Sequence, residues 1–256
     1  MTALTTLAAA KQYLGVTSQG SDPLITRLIP SASSLVQNFC SRIFPITSYS
    51  GLLMDGSGSD TLVLPDYPII SVSSLTVDGV SIPAASSMQS TGYVSDDKAI
   101  FLASGQRIRR GRRNVQVSFQ AGYRQTVQAV IPAGNSPALL VQDPGSPSTI
   151  YSITQASGTA MTSTANSPAS GQYQFAPPQI NFAAADAGTS ISIDMAFIPA
   201  AVEQACIEVV GLAVKRRDNL GIRSKTLAQE TISFDMSAIN TSAVQALQPY
   251  RRVAPT

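Results

Sequence analysis

The chain has no histidine and only two cysteines among its 256 residues, and just 12% of them carry charge. Without histidine it lacks the commonest general base, the commonest metal ligand and the usual switch near neutral pH. Cys40 and Cys206 make neither a disulfide framework nor a zinc set, and both fall on apolar helical stretches, where a reduced buried thiol is the simplest reading. The amino terminus, MTALTTLAAAKQYL, has no basic segment followed by an apolar run, so no signal peptide is expected. The most apolar window, Phe197 to Val214, contains Pro199, Glu203 and Glu208 and is too polar to span a bilayer. These features point to a protein made in a reducing cytoplasm, with no membrane partner.

What is abundant is Ser, Thr, Ala, Gly and Pro, against an apolar content of 44% that supports a real core. That mixture favours a β-rich or assembly-bound protein over an ordinary soluble enzyme. One segment organises the rest. From Pro199 to Asn219, Val202, Ala205, Cys206, Val209, Val210, Leu212 and Ala213 recur at three- and four-residue spacing, with Pro199 at the start and Gly221 beyond the end. A second apolar stripe, Leu24, Ile25, Leu28, Ile29, Ala32, Leu35, Val36, Phe39 and Ile43, marks a helix from Asp22 to Phe44 that Pro30 is expected to kink or restart. The two stripes are expected to pack together, with everything between them inserted.

Ahead of these, Thr6 caps a short helix, Leu7 to Leu14, that ends at Gly15. Beyond Ile46 the period changes to two. Leu52 to Met54 and Thr61 to Leu64 are expected to form a hairpin across DGSGSD, a loop that resembles part of a calcium site but lacks its liganding Glu and spacer. Ile70, Val72, Leu75 and Val77 mark a strand that turns at Asp78-Gly79. Ile100 to Leu102 and Val115 to Phe119 are expected to pair. Between them lies RIRRGRR, with Arg107, Arg109, Arg110, Arg112 and Arg113. Seven of the seventeen cations fall between Lys98 and Arg124. Such a cluster is either a solvated face or a contact for a polyanion or an acidic protein surface.

Composition then shifts. From Gln125 to Ile198 there is no Lys or Arg, and strand candidates at Ala138 to Val141, Thr149 to Ile153, Gly171 to Phe175, Gln179 to Phe182 and Ser190 to Phe197 suggest a separate β module. Val115 to Tyr123 and Ile191 to Ile198 are placed close together as its entry and exit strands. The domain reading is therefore a helical core with β-hairpins, 1–124 and 199–256, carrying an inserted β module, 125–198. After the organising helix come a strand from Glu230 to Phe234, a weak helix from Ser237 to Leu247, and a basic tail that is either frayed or an arm.

In order, LTTLAAAKQYLGV, DPLITRLIPSASSLVQNFCSRIF, DGSGSDTLVLPDYPIISVSSLTVDGV, VSFQAGY, IPAAVEQACIEVVGLAVKRRDNLG and AVQALQPYRR resemble the head-tail connector (adaptor, head completion) proteins of tailed bacteriophages. Simpler members of that family run the AGY strand almost directly into the proline of the long helix, whereas here the cation-free module intervenes. Its segment from Gly171 to Phe197 is similar to a β motif that recurs in phage structural proteins. The resemblance implies an α+β fold built as a small helical bundle with β insertions, and no catalysis or cofactor. It further implies a homo-oligomeric ring of twelve beneath the portal protein, joined to a neck, stopper or tail component, through which double-stranded DNA passes. Its place would be the virion's head-tail interface, after assembly in the host cytoplasm. The tail residues Val244, Leu247, Tyr250, Arg251 and Arg252 would form the portal-binding arm.

Two other classes fit less well. A phage adhesin or receptor-binding β protein with a helical stalk would need a sustained heptad, which is absent. A hydrolase would need paired carboxylates, yet Glu203 and Glu208 sit about 140° apart around a helix, and Asp55 and Asp66 flank a presumed hairpin.

Overall fold

A computed structural model describes residues 3–217, 224–227, 230–233 and 239–252, with the backbone alone described for 224–227 and 230–233. The chain is α+β, and strands outnumber helices. In order it forms α1 (Leu7–Leu14), α2 (Asp22–Cys40), β1 (Thr47–Gly56), β2 (Thr61–Val63), β3 (Ile69–Val77), β4 (Val80–Ile82), β5 (Tyr93–Ser95), β6 (Ala99–Leu102) and β7 (Gly111–Ala121). It continues with β8 (Arg124–Val130), β9 (Ala138–Leu140), β10 (Gly145–Gln155), β11 (Ala160–Ser163), β12 (Gln172–Ala176), β13 (Gln179–Phe182), β14 (Ser190–Pro199), α3 (Ala200–Arg217), β15 (Ser224–Leu227), β16 (Glu230–Ser233) and α4 (Thr241–Leu247). The expectation of a small helical bundle with β insertions is thus corrected, because the sheets are the larger part.

Two compact units divide the described residues, one from 42 to 124 and one combining 3–41 with 125–252. This differs from the division expected from composition. The boundary near 124 is shared, but the helices group with the 125–198 strands and not with the preceding β-strands.

In the 42–124 unit, a four-stranded sheet runs in the order β1-β7-β3-β4 and a three-stranded sheet in the order β2-β6-β5. The alternation of β7 puts Val115, Val117, Phe119 and Ala121 into a core shared with Leu62, Leu75, Ile100 and Leu102. Tyr49 stacks on Phe119 with ring centroids 4.6 Å apart. Asp78 and Gly79, both at positive φ, make the two-residue turn joining Val77 to Val80. Two pairings depart from expectation. β1 pairs with β7, and β2 with β6, so DGSGSD links two sheets instead of closing a hairpin. β6 likewise lies beside β5 and β2, not β7.

Beneath these strands, Arg42 is 4% exposed, with its guanidinium 3.5 Å from the centroid of the Tyr67 ring. It donates to the Tyr67 carbonyl and, at 3.4 Å, to the Tyr123 hydroxyl. An arginine's planar cation suits such an aromatic enclosure better than a lysine's compact one.

In the other unit a seven-stranded sheet runs β8-β14-β10-β11-β12-β13-β9, with β15 and β16 forming a separate two-stranded ribbon. β8 and β11 carry mostly small and polar residues and lay below the patterning used to find strands. β7 lies between β1 and β3 in its sheet, and β14 between β8 and β10 in this one. β14 runs straight into α3 at Pro199, and Gly145 pairs with Pro199 at that junction. A Cβ on Gly145 would lie 2.0 Å from the Ile198 carbonyl oxygen, so only glycine permits this approach.

α3 packs against α1, α2, α4, β10 and β14. Its buried residues, Val202, Glu203, Ala205, Cys206, Ile207, Val209, Val210 and Gly211, include three consecutive positions twice over, so the buried face is wider than one stripe, while Ala200, Gln204 and Lys215 stay exposed. The single stripe expected from spacing understates this. α1 has its Thr6 cap, with the Ala9 amide donating to Oγ1 at 3.1 Å, and ends at Gly15 with φ 66°. α2 runs through Pro30 without restarting and stops at Cys40, where Ser41 takes a left-handed φ of 53°. The residues from Ser41 to Phe44 are therefore not helical. At the α2–α3 contact the Ser33 hydroxyl bonds the Ile29 carbonyl and lies 3.6 Å from the Cys206 sulfur. Burial pushes the Cys206 thiol up to about 11, as expected of a structural cysteine.

Val210 is fully buried, whereas Leu35 sits half-exposed on the facing helix. Val210→Asp is expected to cost about 3 kcal/mol or more by burying an unpaired charge, and Leu35→Asp clearly less. Urea midpoints of the two variants check the ranking, and equal midpoints would contradict the burial of α3.

Candidate functional site

The five arginines of RIRRGRR are all exposed, yet the loop that carries them is tightly built. Ile108, in the middle of the cations, is fully buried, and its amide donates to the Ser59 carbonyl at 2.7 Å. Gly56 pairs with Gly111 and Met54 with Val115, so Arg112, Arg113 and Asn114 bulge out opposite the single residue Asp55. Arg113 sits at φ 50°, and its amide donates to the Asp55 carboxylate at 2.6 Å. The Asn114 side chain then ties three segments together. Its oxygen accepts from the Gly56 amide at 2.9 Å, and its nitrogen donates to the Arg109 carbonyl at 2.9 Å and to the Asp78 carboxylate at 3.1 Å. A Cβ on Gly56 would meet the Arg109 carbonyl at 2.0 Å, which keeps the crossing open only to glycine.

The carboxylates nearest the loop thus receive amide hydrogens. Arg107, Arg109, Arg110, Arg112 and Arg113 are exposed above this hydrogen-bonded base. Asn114 belongs to no motif in the sequence, Gly56 and Ile108 stood out there only within DGSGSD and RIRRGRR, and Asp55 only in the first of these and as one of a carboxylate pair. An isolated isoleucine among five arginines was the available signal, since an apolar residue there has no use in a solvated loop.

The carboxy-terminal segment is placed differently from expectation. α4 is capped by Asn240, whose oxygen accepts from the Ala243 amide at 3.2 Å. Ala243 and Leu247 are buried, Val244 and Tyr250 are half-buried, and Arg251 and Arg252 are exposed. The Arg252 amide donates to the Cys40 carbonyl at 2.8 Å, and the Arg251 guanidinium lies 5.5 Å from the centroid of the Phe39 ring. Leu247, expected in the portal-binding arm, is buried within the subunit. Of the tail, residues 253–256 lie outside the described residues.

Glu208 holds this segment from α3. It accepts from Asn240 at 2.8 Å, Ser242 at 2.7 Å and Gln204 at 3.2 Å. Burial is the largest influence on its carboxyl and acts upward, but the three hydrogen bonds together outweigh it, so it titrates below its ordinary value.

The other carboxylates are also engaged. Glu203 accepts from Thr5 at 3.2 Å and from Ser146, at one side of a cleft of about 500 Å³ lined by Tyr13, Leu140, Gln142, Pro178 and Ile207. Asp66 accepts from the Ile43 amide at 3.2 Å and from the Tyr49 hydroxyl. Asp55 and Asp66 therefore brace different segments, and Glu203 and Glu208 serve different contacts. Among the described residues no group of three or more Cys, Asp or Glu could hold a metal ion, and no helix is long and apolar enough to cross a membrane.

Residues 3–142 match the head completion protein family. That stretch is more than half the chain and includes α1, α2 and the whole arginine loop, and the chain belongs to this family of head-tail connector proteins of tailed bacteriophages. Two solved structures are similar. One is the neck of an empty GTA particle computed with C6 symmetry, 19% identical, covering 48% of this chain and 69% of that one at a TM-score of 0.35. The other is the virion of a native gene transfer agent (GTA) particle, 14% identical, covering 46% and 66% at a TM-score of 0.30. No curated protein matches the chain.

Two outcomes follow from this geometry. Asn114→Ala is expected to cost about 1 kcal/mol by removing three hydrogen bonds, one of them to the amide of buried Gly56, whereas changing the five arginines to serine leaves the melting temperature nearly unchanged. The reverse order in thermal melts would refute the assignment of Asn114 as the brace. For Glu208, a depressed folded pKa means its stabilisation is present above the unfolded value, about 4.3, and is lost as pH falls through the folded value. The melting-temperature gap between the parent and Glu208→Gln should accordingly be full at pH 7 and close in acid below that range. A gap independent of pH would contradict it.

Proposed function

We propose that the protein is a head-tail connector subunit that forms a homo-oligomeric ring of twelve under the portal protein and joins the head to a neck, stopper or tail component. The observation that carries this reading is the family match across α1, α2 and the arginine loop. In this reading the subunit has no catalytic role, assembles in the host cytoplasm, and extends the channel through which double-stranded DNA passes. The engagement of Asp55, Asp66, Glu203 and Glu208 in structural hydrogen bonds supports a non-enzymatic role.

The arginine loop is assigned to a polyanionic partner: the DNA in the channel or an acidic surface of the next component. Its exposed guanidiniums and hydrogen-bonded base reduce the ordering needed on contact. Portal binding is assigned to the tail through Arg251 and Arg252, with Tyr250 beside them. Val244 retains partial exposure and Leu247 supports them from beneath. Repetition around a ring multiplies a weak contact per subunit into a firm one. The 125–198 strands, which distinguish this chain from simpler relatives, are assigned to the outer surface.

Electron microscopy of the protein mixed with portal is expected to show twelvefold rings docked on it. Arg251→Ser with Arg252→Ser should weaken that docking at least tenfold without unfolding the subunit. Undiminished docking would remove the tail from the interface, and absence of any ring would overturn the connector reading.

A further inference from the structure

β8 stands at one end of the seven-stranded sheet, beside β14, and among the described residues its other edge has no strand partner. Proteins blunt such edges with lysine, proline, bulges or brevity. The opposite end of this sheet follows that rule, since β9 has three residues and is preceded by Pro137. β8 has seven residues, and between Arg124 at its start and Pro132 beyond its end it carries neither charge nor proline; Gln125, Thr126 and Gln128 are exposed, and Val130 is 56% exposed. The Ile131 amide donates to the Thr189 carbonyl and its carbonyl accepts from the Gly188 amide. By the period of two, the amides of Thr126, Gln128 and Val130 face the open edge.

The same chain contains a second incomplete β element. Among the described residues β15 and β16 pair with each other and with no other strand, Ser224 with Ser233 through Leu227 with Glu230. A ribbon of two four-residue strands is marginal by itself in water and gains stability from a third strand. We propose that the β15–β16 ribbon of one copy adds to the β8 edge of the next copy, extending the sheet across the subunit boundary. Main-chain hydrogen bonds supply the contact, as in other strand-addition interfaces. Because the two surfaces are different parts of the chain, the contact is head-to-tail and propagates around a ring. Closure of that ring rests on the connector reading above, while the strand pairing itself does not.

The test uses the full chain and two variants. Thr126→Pro removes a donor on the open edge and spares the pairing with β14, a position where strands tolerate proline. Thr226→Pro with Thr231→Pro disrupts the ribbon. Each variant alone is expected to stay monomeric by mass photometry while melting like the parent, and an equimolar mixture should give heterodimers, since one intact edge then meets one intact ribbon. Without substitution, the amides of Thr126, Gln128 and Val130 should exchange at least tenfold more slowly in the assembled protein than in dilute monomer. A Thr126→Pro protein that assembles like the parent, a mixture without heterodimers, or exchange at those amides insensitive to concentration would overturn the proposal. Intact strand pairing with no docking on portal would instead count against the connector reading alone.

Discussion

The unit that contains the helices depends on the broad buried face of α3. Residues 205–207 and 209–211 are buried in two consecutive runs, while Ala200, Gln204 and Lys215 stay exposed along the remaining strip of the helix. Four elements meet the helix: α1 closes over Gly211, α2 over Cys206, α4 over Glu208, and β10 over Glu203. Glu203 is the one buried carboxylate on this helix, and hydroxyls from Thr5 and Ser146 meet it from two different segments. A polar group at such a position fixes which strand and which turn sit there, since any other register would leave it unsatisfied.

In the proposed reading, recognition uses different physics. The arginine loop and the tail both place exposed cations on a base that is apolar and hydrogen-bonded. In the loop the base is Ile108 with the Asn114 carboxamide; in the tail it is Leu247 with Ala243. Exposed like charges contribute little to folding, so in that reading stability and recognition are carried by different residues.

Much of this was legible without coordinates, as was the family. Helix α1 with its Thr6 cap and Gly15 stop, the Asp78-Gly79 turn, β13, and the packing of α2 on α3 follow from local spacing and cap chemistry. The site was less legible. Five arginines announce a cationic surface, but the brace beneath them draws on Asp55, Gly56, Asp78 and Asn114, which are separated by up to 59 positions and unremarkable alone.

The sequence by itself determined the local elements, because caps, turns and apolar periods act over a few residues. It also determined the absence of histidine chemistry and the placing of positive charge. Tertiary structure decided which strand pairs with which, how the helices group with the 125–198 strands, and whether an apolar tail residue is spent inside or offered outside. Strand partners are chosen by non-local hydrogen bonding, which has no period in the chain. Thus β1 pairs with β7, not β2, and Leu247 is buried in its own subunit, since burial is settled only once the competing surfaces exist together.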